Sequence, residues 1–215
     1  MIYLHSHSEA GGHPINEDAF VTAPHPADPD SWLICLADGQ GGRAGGARAA
    51  RLACETAAAI ATEHSPSDLT KPSLWQTILT RADAMVCDDS SAGFSTLIGL
   101  CVRNDRLVGA SSGDSAVVVI SRGTTHEATA HQHKNPPVGS GVATFVPFMA
   151  KLVRPWRLLV MSDGVWKYAG WAKIHETASQ IGGPELLAEL QDAARLRGTG
   201  TFPDDFTVVL LEAPA

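Results

Sequence analysis

The 215-residue chain sets 16 Lys and Arg against 23 Asp and Glu, a formal charge of -7, and 44% of its residues are hydrophobic. That length supports one sizeable core, and with no Pro/Ser-rich linker or charge block to divide it, a single domain over residues 1–215 is expected. The acidic balance argues against nucleic acid or an anionic membrane surface as partner, and the opening MIYLHSHSEAGG lacks the basic start and apolar run of a secretory leader, so a cytoplasmic location is expected.

In chain order, the first apolar run, residues 32–37, reads as a strand that ends on Asp38. Two helical stretches follow, 44–63 and 73–87, the first alanine-rich and suited to close packing on a sheet. Strands are expected at 96–102 and 107–110, joined through Asn104-Asp105, and at 116–120, reached through Gly113-Asp114-Ser115. These joins make the middle of the chain an antiparallel meander rather than a βαβ alternation. Residues 129–153, with Pro136-Pro137 and weak periodicity, read as a long loop of the functional or mobile kind. A strand at 158–161, helices at 172–180 and 184–197, and a strand at 207–211 complete an α+β sandwich with sheets inside and helices outside. Cys35, Cys54, Cys87 and Cys101 form no C-x-x-C pair and read as small buried hydrophobes.

The chemistry is carried by a recurrent pattern. In LADGQGG an apolar strand delivers Asp38 to its end, with glycines directly after, so that backbone can approach a ligand beside a carboxylate. The same pattern returns in Ser162-Asp163-Gly164 after residues 158–161 and in Gly113-Asp114-Ser115. Glu17-Asp18 near the start and Asp204-Asp205 before the last strand add further carboxylates. One Asp-Gly is usually a plain turn. Several carboxylates converging on one rim repel each other unless cations hold them, and oxygen-only ligands select hard divalent ions. Paired ions bridged by a carboxylate suit phosphoester hydrolysis.

The ordered series Asn16-Glu17-Asp18, Asp38-Gly39-x-Gly41-Gly42, Ser95-Thr96, Gly113-Asp114-Ser115, Ser162-Asp163-Gly164 and Asp204-Asp205-x-Thr207 resembles the metal-dependent protein phosphatase family, type 2C. The resemblance implies a four-layer αββα fold, an antiparallel β-sandwich flanked by helix pairs. It further implies two Mn²⁺ or Mg²⁺ ions, and hydrolysis of phosphoserine or phosphothreonine on proteins by a metal-bound water. Carried over position by position, Asp38 bridges both metals, the Gly39 carbonyl ligates the second, and Asp163 and Asp204 ligate the first. Glu17 and Asp18 hold metal-bound waters, and Asp114 with Asp163 resembles the pair that holds a weaker third ion in bacterial members. Asp205 stands where the family has an asparagine.

The sequence also departs from that pattern. Four residues before Glu17 the family commonly has an arginine that grips the substrate phosphate; here it is His13, which lacks the guanidinium fork and its permanent charge. Arg43, directly after the glycines, offers a substitute cation, with an ordinary solvent-facing arginine as the alternative. Gln40 replaces a histidine proposed as general acid in animal members and cannot donate a proton in that role. The stretch between Ser115 and Ser162 is short for the family, which implies a reduced flap. The expected partner is a phosphorylated protein, a kinase or a kinase target, with no nucleic acid, no membrane, and a monomeric chain. Two alternatives stay open: a catalytically weak binding module that keeps the fold, and a hydrolase of small phosphoesters.

Overall fold

The computed structural model describes residues 1–42 and 44–215. In chain order its elements are β1 (Tyr3–Glu9), β2 (Asp18–His25), β3 (Asp28–Asp38), α1 (Gly46–Thr62), α2 (Pro72–Asp88), β4 (Leu97–Arg103), β5 (Arg106–Ser112), β6 (Ala116–Ser121) and β7 (Thr124–Glu127). They continue with β8 (Val146–Lys151), β9 (Trp156–Met161), α3 (Asp163–Ala169), α4 (Trp171–Gln180), α5 (Gly183–Ala194) and β10 (Phe206–Ala213). The class is α+β with antiparallel sheets, as the sequence predicts. The chain divides into two compact units, one formed by residues 1–16, 116–128 and 152–215, the other by residues 17–115 and 129–151.

The unit of residues 17–115 and 129–151 is built on a five-stranded antiparallel sheet in the order β2-β3-β4-β5-β8. Helix α1 lies against β3 and β2 and buries Ala49, Ala50, Ala53, Ala57 and Ala61, whose methyl groups permit close approach. Helix α2 buries Trp75, Ile78, Leu79 and Val86. Gly99 in β4 makes room for it: a Cβ there would lie 2.7 Å from Leu79 and 2.9 Å from the Trp75 ring. The buried indole of Trp75 donates to the Leu69 carbonyl at 3.0 Å, which offsets the cost of burying its N–H. Asn104 and Asp105, with φ of 51° and 54°, form the expected tight turn between β4 and β5.

The unit of residues 1–16, 116–128 and 152–215 carries the second five-stranded antiparallel sheet, β1-β10-β9-β6-β7, with α3, α4 and α5. Val118, Ile120, Leu159, Met161, Val208 and Leu210 pack with Ile174, Leu186, Leu187, Leu190, Phe202 and Phe206 in one core. Trp156 is buried, and Trp166 stacks on Trp171 with ring centroids 5.5 Å apart, so the tryptophans near Asp163 serve packing. In β6, β9 and β10 side chains of both faces are buried, which explains their unbroken apolar runs.

Several sequence expectations change. β5 and β6 do not form a hairpin, because Gly113-Asp114-Ser115 carries the chain from one sheet to the other. The stretch 129–153 is not wholly a loop: β8 forms the edge of the β5 sheet, pairing Val108 with Met149 and Gly109 with Phe148. Strands β1, β2 and β7 are largely half-buried and lack the unbroken apolar runs of the detected strands, and α3 spans only seven residues, so all four escape detection. Cys87 is exposed, whereas Cys35, Cys54 and Cys101 are buried. Among the described residues no helix is long and apolar enough to cross a membrane.

Candidate functional site

In the β3 unit the predicted residues converge through strand register. Asp18 begins β2, Asp38 ends β3, and the two are direct cross-strand partners. Like charges placed opposite one another in a ladder are destabilising, so this pair has a physical use for a cation between or beside its oxygens. The Gly39 amide donates to the Glu17 carbonyl at 3.1 Å, which ties the third carboxylate-bearing residue to the same corner.

Glycine is required here by contact. A Cβ on Gly39 would lie 2.5 Å from the Gly46 carbonyl group and 2.7 Å from the Glu17 carbonyl oxygen, and a Cβ on Gly46 would lie 2.8 Å from Glu17 Oε1. The absence of both side chains lets the start of α1 close over Glu17.

Thr96, just before β4, holds the backbone of Asp38. Its amide donates to the Asp38 carbonyl at 2.8 Å, and the Asp38 amide donates to Thr96 Oγ1 at 2.9 Å. Thr96 Oγ1 and Ser115 Oγ are hydrogen-bonded at 2.8 Å, which links the turn carrying Asp114 to the end of β3. Asp114 pairs with Lys134. The segment bearing Lys134 is fixed by backbone: the Gly113 amide donates to the His133 carbonyl at 2.8 Å and Gln132 Nε2 to the Ser115 carbonyl at 2.6 Å. Arg43 lies outside the described residues.

In the other unit Asp163 opens α3, is 8% exposed, and pairs with Lys167 one turn along. Asp204 stands beside that turn, since a Cβ on Gly164 would come 3.4 Å from Asp204 Cβ and 2.0 Å from the Asp205 carbonyl oxygen. Asp205 is buried and accepts the Gly11 amide at 2.8 Å, and its own amide donates to Asp204 Oδ1 at 3.0 Å. Its role is therefore to hold the loop, leaving Asp204 as the half-buried carboxylate. The Thr207 amide donates to Ser162 Oγ at 3.1 Å, joining the two Asp-bearing segments. His13 is exposed and follows Gly11 and Gly12, which press on the backbone of Asp204 and Pro203.

Among the described residues neither unit by itself gathers three His, Cys, Asp or Glu side chains into a ready metal cluster. The predicted ligands are divided: Asp38, Gly39 and Asp114 belong to one unit, Asp163 and Asp204 to the other. Their chemistry nonetheless fits hard divalent ions. The donors are all oxygens, two of the carboxylates face each other across a ladder, and two others already hold a cationic ammonium. Sequence reasoning missed Lys134 and Lys167. The second was available from its spacing of four residues after Asp163 in a helix, while the first lies 20 residues from Asp114 across an irregular segment.

A family model described as protein phosphatase 2C matches residues 5–192, a span that includes Glu17, Asp18, Asp38, Asp114 and Asp163 and stops before Asp204. No curated protein matches the sequence. Among solved structures the chain is similar to the serine/threonine phosphatase Stp1 from Staphylococcus aureus, with TM-score 0.79 and 17% identity over 100% of this chain and 96% of that one. It is also similar to PppA, a regulatory component of the type VI secretion system of Pseudomonas aeruginosa, with TM-score 0.72 and 20% identity over 99% and 97%. A third likeness is to RsbX solved in complex with magnesium, with TM-score 0.74 and 13% identity over 98% and 94%. At these identities the structural likeness is one of fold.

Proposed function

The chain belongs to the protein phosphatase 2C family, and on that premise we propose how its own residues carry out metal-dependent hydrolysis of phosphoserine and phosphothreonine. Asp38, the Gly39 carbonyl, Asp163 and Asp204 are the groups that would hold two divalent ions, Mn²⁺ or Mg²⁺. Asp114 and Asp163 would be available to a weaker third. When bound, such ions would supply a nucleophile from water near neutral pH and neutralise the phosphoryl oxygens. A structure of the same fold solved with magnesium supports this choice of metal.

The remaining steps fall to side chains and backbone. Thr96 keeps Asp38 from turning by holding both its amide and its carbonyl. Glu17 and Asp18 accept hydrogen bonds from the attacking water and so orient its lone pair toward phosphorus. Phosphate capture falls to His13 or Arg43, whose cationic forms donate to the non-bridging oxygens. Gln40 can donate a hydrogen bond but no proton, so the departing serine or threonine alkoxide is protonated from solvent. The substrate is a phosphorylated protein, with a kinase or its target as the natural partner of such an activity.

The observation that carries this reading is the Asp18–Asp38 cross-strand pair at a glycine-lined corner. The test is Mn²⁺-dependent phosphate release from a phosphothreonine peptide, run beside a small aryl phosphate. Turnover of the peptide that disappears with chelator supports the proposal. Aryl phosphate turnover without peptide turnover assigns the protein to small phosphoesters, and no turnover of either with retained peptide binding assigns it to a binding role. His13→Ala and Arg43→Ala, compared by KM, decide which residue captures phosphate.

A further inference from the structure

One ionisable group outside this chemistry is placed with unusual constraint. Asp83 lies in α2 with its side chain on the buried face, 1% exposed, among Leu79, Ala82 and Val86. An ionised carboxylate in such surroundings is costly unless hydrogen bonds replace its water. Here they do: Oδ1 accepts the Gly139 amide at 2.6 Å and the Gly141 amide at 3.2 Å, and Oδ2 accepts the Ala143 amide at 3.0 Å.

The turn is shaped for that clasp. Gly139 and Gly141 have φ of 98° and 73°, values that aim alternate amides at one point. A Cβ on Gly139 would lie 2.6 Å from the Gly93 carbonyl oxygen, so the turn also presses on the segment leading into β4.

The neighbouring residues extend the contact to the candidate site. Val138 and Ser95 exchange two backbone hydrogen bonds, both at 3.0 Å. Ser95 in turn bridges Gly39, the Gln40 amide donates to the Phe94 carbonyl at 2.8 Å, and Thr96 holds Asp38. A continuous backbone path thus runs from Asp83 through residues 138–143 and 94–96 to Asp38 and Gly39, all within one unit.

We propose that Asp83 is a positioning residue: by clasping the 139–143 turn it fixes Val138 against Ser95 and thereby the backbone of Asp38 and Gly39. The inference rests on the metal-ligand role proposed for those two residues. An asparagine at this place keeps one acceptor oxygen but turns an NH₂ group toward backbone amides, so part of the clasp is replaced by donor against donor.

The test uses Asp83→Asn, Gly141→Ala and Val86→Ala in the full chain. Gly141→Ala strains the turn at its positive φ and brings a Cβ to 3.1 Å from Cys87 Sγ at the end of α2 while leaving the Asp83 carboxylate in place, and Val86→Ala removes packing on the same helix face, beside Gly139, while leaving the three clasp hydrogen bonds in place. The readouts are amide exchange over residues 138–143, thermal midpoint, and Mn²⁺ affinity by calorimetry. Asp83→Asn and Gly141→Ala are expected to speed exchange and to weaken Mn²⁺ binding by roughly tenfold, as loss of an outer supporting contact typically does. Val86→Ala is expected to lower the midpoint with Mn²⁺ affinity unchanged. Faster exchange in either turn variant with wild-type Mn²⁺ affinity overturns the proposal, as does an equal loss of affinity in Val86→Ala. Should Asp83→Asn fail to fold, Gly141→Ala alone decides. A wild-type chain that binds no Mn²⁺ overturns the metal reading itself, an outcome distinct from unaffected variants of a chain that does bind.

Discussion

The two units use the same sequence pattern, an apolar run followed by Asp-Gly, and fold it differently. After Asp38-Gly39 the backbone stays extended: Gly39 bridges Ser95 and backs onto Gly46. After Asp163-Gly164 it turns at once into α3, with Gly164 pressed against the Asp205 carbonyl. One carboxylate is thus aimed by a strand ladder and the other by the first turn of a helix. The difference teaches that Asp-Gly specifies a carboxylate beside bare backbone, while the contact made by the glycine decides whether the chain continues extended or winds into a helix.

The sharpest way to break this comparison is Asp38→Asn. A bridging carboxylate offers two charged oxygens and an amide one neutral oxygen, so the loss in kcat/KM is expected to reach roughly a thousandfold or more with the circular dichroism spectrum unchanged. Full Mn²⁺-stimulated turnover in a folded Asp38→Asn protein would remove Asp38 from the centre.

Gly164→Ala probes the helix-borne side. Its Cβ would fall 2.0 Å from a backbone oxygen, so thermal unfolding should show a stability loss of about 3 kcal/mol or more, whereas Gly198→Ala, with nothing within 4 Å, should match wild type. Similar midpoints for the two variants would mean that the α3 turn tolerates a side chain.

Asp204→Asn against Asp205→Asn sharpens the assignment within one loop. The first should weaken Mn²⁺ binding by more than about tenfold, while the second should stay within a few-fold, because an amide oxygen can still accept the Gly11 N–H. The reverse order in calorimetry would shift the ligand by one residue.

A smaller effect is expected from Lys134→Ala and Lys167→Ala. On the proposed metal assignment each removes an ammonium that would compete with a divalent ion for Asp114 or Asp163, so Mn²⁺ affinity should rise by a few-fold, the scale of a partly exposed ion pair. Weaker Mn²⁺ binding in either variant would instead make that lysine a support of the site.

The smallest effect separates the cysteines. Burial pushes the Cys35 and Cys101 thiols up to about 12 and raises Cys54 as well, whereas Cys87 is exposed. Thiolate is the reactive form, so native protein should incorporate one equivalent of a thiol reagent at Cys87, read by mass spectrometry, and the others only after unfolding.

The amino-acid sequence by itself determined the α+β class, the helices near residues 44–63 and 73–87, the Asn104-Asp105 hairpin, and the ordered carboxylates from Glu17 to Asp204. These are local: apolar periodicity, turn-forming residues and Asp-Gly pairs are written within a few consecutive positions. Tertiary structure decided the rest. It assigned β5 and β6 to different sheets, made part of the supposed loop into the edge strand β8, and set Lys134 on Asp114. It also brought Asp83 onto amides 56 to 60 residues away, turning a polar break in an apolar helix face into the clasp of a remote turn. Such partners have no fixed spacing from one another, and only the closing of the chain into sheets and packed helices selects which distant backbone groups meet a given side chain.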